Sequence, residues 1–201
     1  MKKTLLFLLL IFVTMSVYSQ TASDYFEKGN IKYNLEDYNS AIDEYTEAIL
    51  LEPNYKAAYV LRGISKYLLE DYRGAIADFN KAISLSSEGY KVYKLRGSSK
   101  LKLEDYRGAI ADFTKTISLD PNNEMAYFER GAAKCSLKDY IGAIEDSTKA
   151  ISLNPNNATA YYNRGIAKFR LNKKNSACLD FSKAGELGNE KAYGIIKDYC
   201  Q

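Results

Sequence analysis

Apolar and small residues return every three or four positions along most of the chain, in stretches of about 13 residues parted by short polar turns. That spacing puts them on one face of a helix and predicts consecutive helices without strands. A longer period lies over the shorter one. Leu61–Leu85 and Leu95–Leu119 are identical at 20 of 25 positions when aligned at an offset of 34. Five units follow from that offset: 22–55, 56–89, 90–123, 124–157 and 158–191. A last helix, Glu190–Tyr199 within a terminal segment 190–201, has no second helix after it and is expected to cap unit five.

Reading down the repeat shows what each position is for. Gly29, Gly63, Gly97, Gly131 and Gly165 recur inside the first helix of each unit. A mid-helix glycine costs about 1 kcal/mol against alanine, so its recurrence implies that a neighbouring helix must approach the backbone there. Asp37, Asp71, Asp105 and Asp139 stand in the turn, where they can cap the second helix. Ala41, Ala75, Ala109, Ala143 and Ala177 form a small column, and Ala48, Ala82, Thr116, Ala150 and Ala184 another. Between them runs Tyr45, Phe79, Phe113, Ser147 and Phe181, aromatic in all units but the fourth. Pro53, Pro121 and Pro155 end three of the units. Each unit is therefore a helical hairpin that must stack on its neighbour to bury its face.

The period and these columns, with Tyr25, Tyr59, Tyr93, Tyr127 and Tyr161, resemble the tetratricopeptide repeat (TPR) over residues 22–191. The resemblance implies an all-α, right-handed superhelical solenoid of five TPR hairpins with a C-terminal capping helix. One departure stands out: before the glycine, where the family usually has leucine, stand Lys28, Arg62, Arg96, Arg130 and Arg164. A second basic column is Lys32, Lys66, Lys100, Lys134 and Lys168, and an acidic one is Glu44, Asp78, Asp112, Asp146 and Asp180. Buried arginine is rarely tolerated without a carboxylate, so the arginines are expected to lie between helices and pair with the acidic column, in their own or the preceding unit.

The resemblance also implies that first helices line a concave groove for a segment of another protein. Carried onto this chain, the lining is Phe26, Asn30 and Tyr33, then Val60, Ile64 and Tyr67, then Lys91 and Lys94 with Ser98 and Leu101. Met125, Phe128 and Cys135 follow from unit four, and Tyr162, Ile166 and Phe169 from unit five. An apolar trough with a basic centre suits a peptide with hydrophobic anchors and an acidic residue or free C-terminus. The family's chaperone-tail clamp is a poor match, because only Asn30 and Lys91 fit while Phe26, Leu61 and Leu95 occupy its other positions.

Composition narrows the classes further. Lys2 and Lys3, the apolar run Leu5–Val13 and the segment Val17-Tyr18-Ser19 lay out an export signal, residues 1–19, ahead of a domain 20–201. The run is too short to cross a bilayer core of roughly 30 Å, so no membrane span is expected after cleavage, and a periplasmic or secreted location is. Removing residues 1–19 lowers the formal charge from +3 to +1, far from the basic footprint of a nucleic-acid binder. The chain has 18 tyrosines, which exclude a disordered polymer, and no histidine, the commonest general base and metal ligand. No phosphate loop, metal-ligand spacing or nucleophile–base pair occurs, so neither enzymatic activity nor a cofactor is expected. The leading expectation is a protein-binding adaptor; a structural or oligomerising envelope scaffold and a glycan-binding accessory are the alternatives.

Three cysteines in an exported chain suggest one pair and one free thiol. Cys178 and Cys200 lie equally far from a turn centred on Gly188 and Asn189, so an antiparallel hairpin sets them at matching heights. They are the expected disulfide, with Cys135 free.

Overall fold

The computed structural model describes residues 20–87 and 89–200, and the expected export signal lies outside them. Eleven helices follow in order among the described residues: α1 (Ala22–Asn34), α2 (Tyr38–Leu51), α3 (Lys56–Leu68), α4 (Tyr72–Leu85), α5 (Tyr90–Lys102), α6 (Tyr106–Leu119), α7 (Glu124–Ser136), α8 (Tyr140–Leu153), α9 (Ala158–Arg170), α10 (Lys174–Glu186) and α11 (Glu190–Tyr199). None of the described residues forms a strand. Odd-numbered helices up to α9 open the hairpins and even-numbered ones close them.

Every hairpin turns in the same way. One residue, Glu36, Glu70, Glu104, Lys138 or Asn172, takes φ between 59° and 64° and reverses the chain. The next residue caps the second helix: Asp37, Asp71, Asp105 and Asp139 accept from the backbone N–H groups of Ser40, Gly74, Gly108 and Gly142. Lys173 replaces the aspartate in the fifth hairpin, and α10 starts without a side-chain cap. Asn123 and Asn157 cap α7 and α9 from the loops between hairpins.

Packing within a hairpin explains the glycine column. A Cβ on Gly63 would meet the Phe79 ring at 2.7 Å, and one on Gly97 the Phe113 ring at 2.9 Å. One edge of the ring presses against the glycine, with Ala75 or Ala109 and Ala82 or Thr116 fully buried beside it. Each hairpin then packs on the next, and α3, α5, α7 and α9 also touch one another in succession. First helices thus share the inner side of the array, while second helices are spread along its outer side.

Arginine ties neighbouring hairpins together. Arg62, Arg96, Arg130 and Arg164 each hold the aspartate sixteen residues on with two guanidinium N–H groups, at 2.5 to 3.0 Å. The third guanidinium nitrogen reaches back to the preceding hairpin, donating to Thr46, Asn80, Thr114 or Thr148. Lys66, Lys100, Lys134 and Lys168 pair with the same aspartates at 2.7 to 2.8 Å. Each guanidinium also stacks over the tyrosine three residues earlier, 5.4 to 5.6 Å from the ring centre. The first hairpin differs. Lys28 lies over Tyr25, Lys32 turns to Asp37, and the buried Oε2 of Glu44 has no hydrogen-bond partner.

The cap repeats the start of a sixth unit. Ala192 is fully buried against α10, and Tyr193 donates to the carbonyl of Gly185. A disulfide joins Cys178 of α10 to Cys200 with Cα atoms 5.6 Å apart, and Cys135 is free. The bond closes a separation of 22 residues. Reduction, or Cys200→Ser, is expected to destabilise the array's end by about 3 kcal/mol on the chain-entropy estimate. Calorimetry with and without reductant checks it, and an unchanged melting curve would mean the bond adds nothing to α11.

Candidate functional site

The inner face carries side chains from α1, α3, α5, α7 and α9, but many of them already have partners inside the protein. Phe26 packs between Tyr45 and Tyr55, with ring centres 5.7 and 4.8 Å away. Asn30 accepts the Tyr45 hydroxyl at 3.0 Å. Burial pushes the Tyr45 phenol up to about 12, aided by the nearby Tyr33 and Glu27. Tyr33 and Tyr67 meet Tyr38 and Tyr72 edge-on at 5.6 and 5.3 Å, and Val60, Ile64 and Tyr67 lean on the core of the first hairpins. At the other end, Tyr162 packs on Phe181 and Phe169 on Tyr199, while Ile166 borders the same core. A shallow pocket of about 510 Å³ opens beside Tyr162 where α9 meets the α10–α11 turn, lined also by Thr159, Asn163 and Lys191. The inner face is therefore a lining with buried feet, not a row of free side chains.

The middle of the face is charged. Lys91 is exposed and Lys94 half-buried, and neither has a carboxylate within 4 Å among the described residues. A carboxylate does approach from α7: Glu129 accepts from the Ser98 hydroxyl at 2.8 Å. Burial raises the Glu129 pKa above its ordinary value, while the Ser98 bond and the charges of Lys94 and Lys102 pull it partly back. Sequence reading missed this residue, because its repeat position holds Glu27, Leu61, Leu95 and Asn163 elsewhere and shows no column. Its effect on stability follows from the sign of the shift. A carboxyl that holds its proton more tightly when folded stabilises the protein below its unfolded value, and that stability is lost as pH rises through the folded one. Glu129→Gln, which can still accept from Ser98, is expected to melt higher than the parent near pH 7 and about equally near pH 4. Melting curves at the two pH values check it; an equal gap at both would remove Glu129 as the cause.

Phe128 and Cys135 complete the inner face of the fourth hairpin, both half-buried. Burial pushes the Cys135 thiol up, with Arg170 opposing. Among the described residues no cluster of histidine, cysteine or carboxylates could hold a metal ion, and no helix is long and apolar enough to cross a membrane. What the face offers is apolar area at both ends, a cationic middle and one recessed carboxylate, which is recognition chemistry.

Known proteins of similar shape are repeat proteins. A crystal structure of MamA protein superposes with a TM-score of 0.80, is 25% identical, and is matched over 86% of this chain and 94% of that one. MamA 41-end from Desulfovibrio magneticus RS-1 superposes at 0.80 with 23% identity over 83% of this chain and 94% of that one. YrrB, described as a TPR protein with an unusual peptide-binding site, reaches 0.80 at 22% identity over 88% of this chain and 92% of that one. No curated protein matches the sequence. Profiles of the tetratricopeptide repeat match residues 26–89 and 90–123, and a further TPR profile matches 133–172. With three such matches on a solenoid of stacked helical hairpins, the chain belongs to the tetratricopeptide-repeat family.

Proposed function

We propose that the protein is an exported, non-catalytic adaptor that holds an extended segment of a partner protein along its inner face. The observation that carries this reading is the arrangement of that face: Phe26, Val60 and Ile64 on one side, Tyr162, Ile166 and Phe169 on the other, and Lys91 and Lys94 between them. Such a surface fits a segment with apolar anchors flanking an acidic residue. Location outside the cytoplasm is supported by the layout of residues 1–19 and by a disulfide, which persists in oxidising compartments. The peptide-binding site in the description of YrrB supports the class of ligand.

The test is selection of peptides on the folded protein, followed by affinity measurement. Selected sequences are expected to be apolar with a central Asp or Glu. The double variant Lys91→Glu, Lys94→Glu should weaken them by about tenfold or more, roughly 1.4 kcal/mol. Its melting temperature should fall, because Lys94 is half-buried and its charge offsets that of Glu129, so affinities are compared at temperatures where the variant stays folded. Peptides that bind the double variant as well as the parent would overturn the reading and favour a purely structural scaffold.

A further inference from the structure

The fourth hairpin lacks a part that the other four have. Tyr45, Phe79, Phe113 and Phe181 fill the gap between their paired helices and are fully buried; at the same place α8 has Ser147. The ion pair beside it is unchanged. Arg130 holds Asp146 at 2.7 and 2.9 Å, the same distances as Arg164 and Asp180 in the next hairpin. A Cβ on Gly131 would find its nearest neighbours, Asp146 Cβ and Ser147 Oγ, at 3.3 Å, against 2.7 Å to the ring facing Gly165.

Three further observations point to what belongs there. The Ser147 hydroxyl is buried without a hydrogen-bond partner, although buried Ser65 and Ser99 each donate to a carbonyl of their own helix. Phe128 stands where Phe26 and Tyr162 pack on the column's rings, yet it has no aromatic partner among the described residues. On the inner face above the gap stands Ala132, at the position where Asn30 receives the Tyr45 hydroxyl in the first hairpin. Both ends of the ring's path are thus small, its wall is aromatic, and its floor carries an unused hydroxyl.

We propose that the fourth hairpin is a subsite for a tyrosine side chain of the bound segment, which enters past Ala132, packs on Phe128 and exchanges a hydrogen bond with Ser147. The inference rests on the groove reading and sharpens it. Tyr45 shows that a phenol ring fits between such helices; the incoming ring lies the other way round, its hydroxyl towards α8. An aromatic ring supplies the packing the hairpin lacks, and the phenol removes the cost of the orphaned serine.

The probe is para-cresol, the tyrosine side chain alone, with toluene as its apolar counterpart. Amide spectra of the protein are expected to shift saturably at Gly131 and Ser147 with para-cresol, and about tenfold less tightly with toluene. Ser147→Phe rebuilds the missing column, so it should melt higher and lose the para-cresol response. Ser147→Ala keeps the gap without its hydroxyl, so para-cresol and toluene should bind it alike, which decides the matter if the phenylalanine variant folds poorly. No saturable shift at α7 and α8, or a Ser147→Ala protein that still prefers para-cresol, overturns the subsite. Selected peptides that need Lys91 and Lys94 but no tyrosine would overturn the subsite alone, whereas para-cresol binding with peptides indifferent to the lysines would overturn the groove alone.

Discussion

Asp112→Ala is expected to destabilise the protein by about 3–5 kcal/mol, because it leaves two cations facing each other in a place largely shielded from water. Asp112 is almost fully buried and receives two bonds from Arg96 and a third contact from Lys100, 2.8 Å away. Removing it costs more than the pair contributes, since burying the ions offsets much of their attraction. Exchanging Arg96, Lys100 and Asp112 together for apolar residues of similar volume is therefore expected to cost far less than the single change. Arg96→Lys should fall between, because a lysine cannot span both Asp112 oxygens and the Asn80 amide at once. Urea unfolding followed by circular dichroism ranks the three. A single aspartate loss below about 1 kcal/mol would mean that the buried ions find water after all.

Phe113→Ala is expected to cost about 3–5 kcal/mol by opening a cavity against Gly97 and Ala109. The converse change, Gly97→Ala, should cost about 1–3 kcal/mol, because a new Cβ 2.9 Å from a fully buried ring forces helix or ring to move. Gly131→Ala should be close to neutral. Its nearest contacts are looser, and alanine gains about 1 kcal/mol of helix preference over glycine. Thermal unfolding of the three variants tests the set, and a Gly131 variant as damaged as the Gly97 one would show the fourth hairpin to be packed as tightly as the third.

The sequence made most of this architecture legible because repetition separates what packing demands from what drifts. Arg62, Arg96, Arg130 and Arg164 could be matched to carboxylates before any coordinates, since both columns recur with the same offset. Thr46, Asn80, Thr114 and Thr148 recur at that offset too, but short polar residues read as solvated helix surface until each is seen to accept from the arginine of the next hairpin. The inner face was harder for a related reason. Periodicity tells which side of a helix a residue is on, but not that Tyr33 turns to Tyr38, or that Asn30 is taken by Tyr45. Glu129 belongs to no column, so only its neighbours in space, Ser98 and Lys94, give it meaning.

The bond between Cys178 and Cys200 sets how far the protein can be stretched. Pulled at its two ends under oxidising conditions, the chain can unravel hairpin by hairpin, but the stretch of 22 residues inside the bond stays shut. At about 3.4 Å per extended residue, roughly 75 Å of length is withheld until a reductant cuts the bond. Force-extension traces recorded with and without reductant would differ by that one increment at the C-terminal end. An adaptor moored at both ends would thus have its maximum reach set by the redox state of its surroundings, while every hairpin before the fifth extends the same way in both.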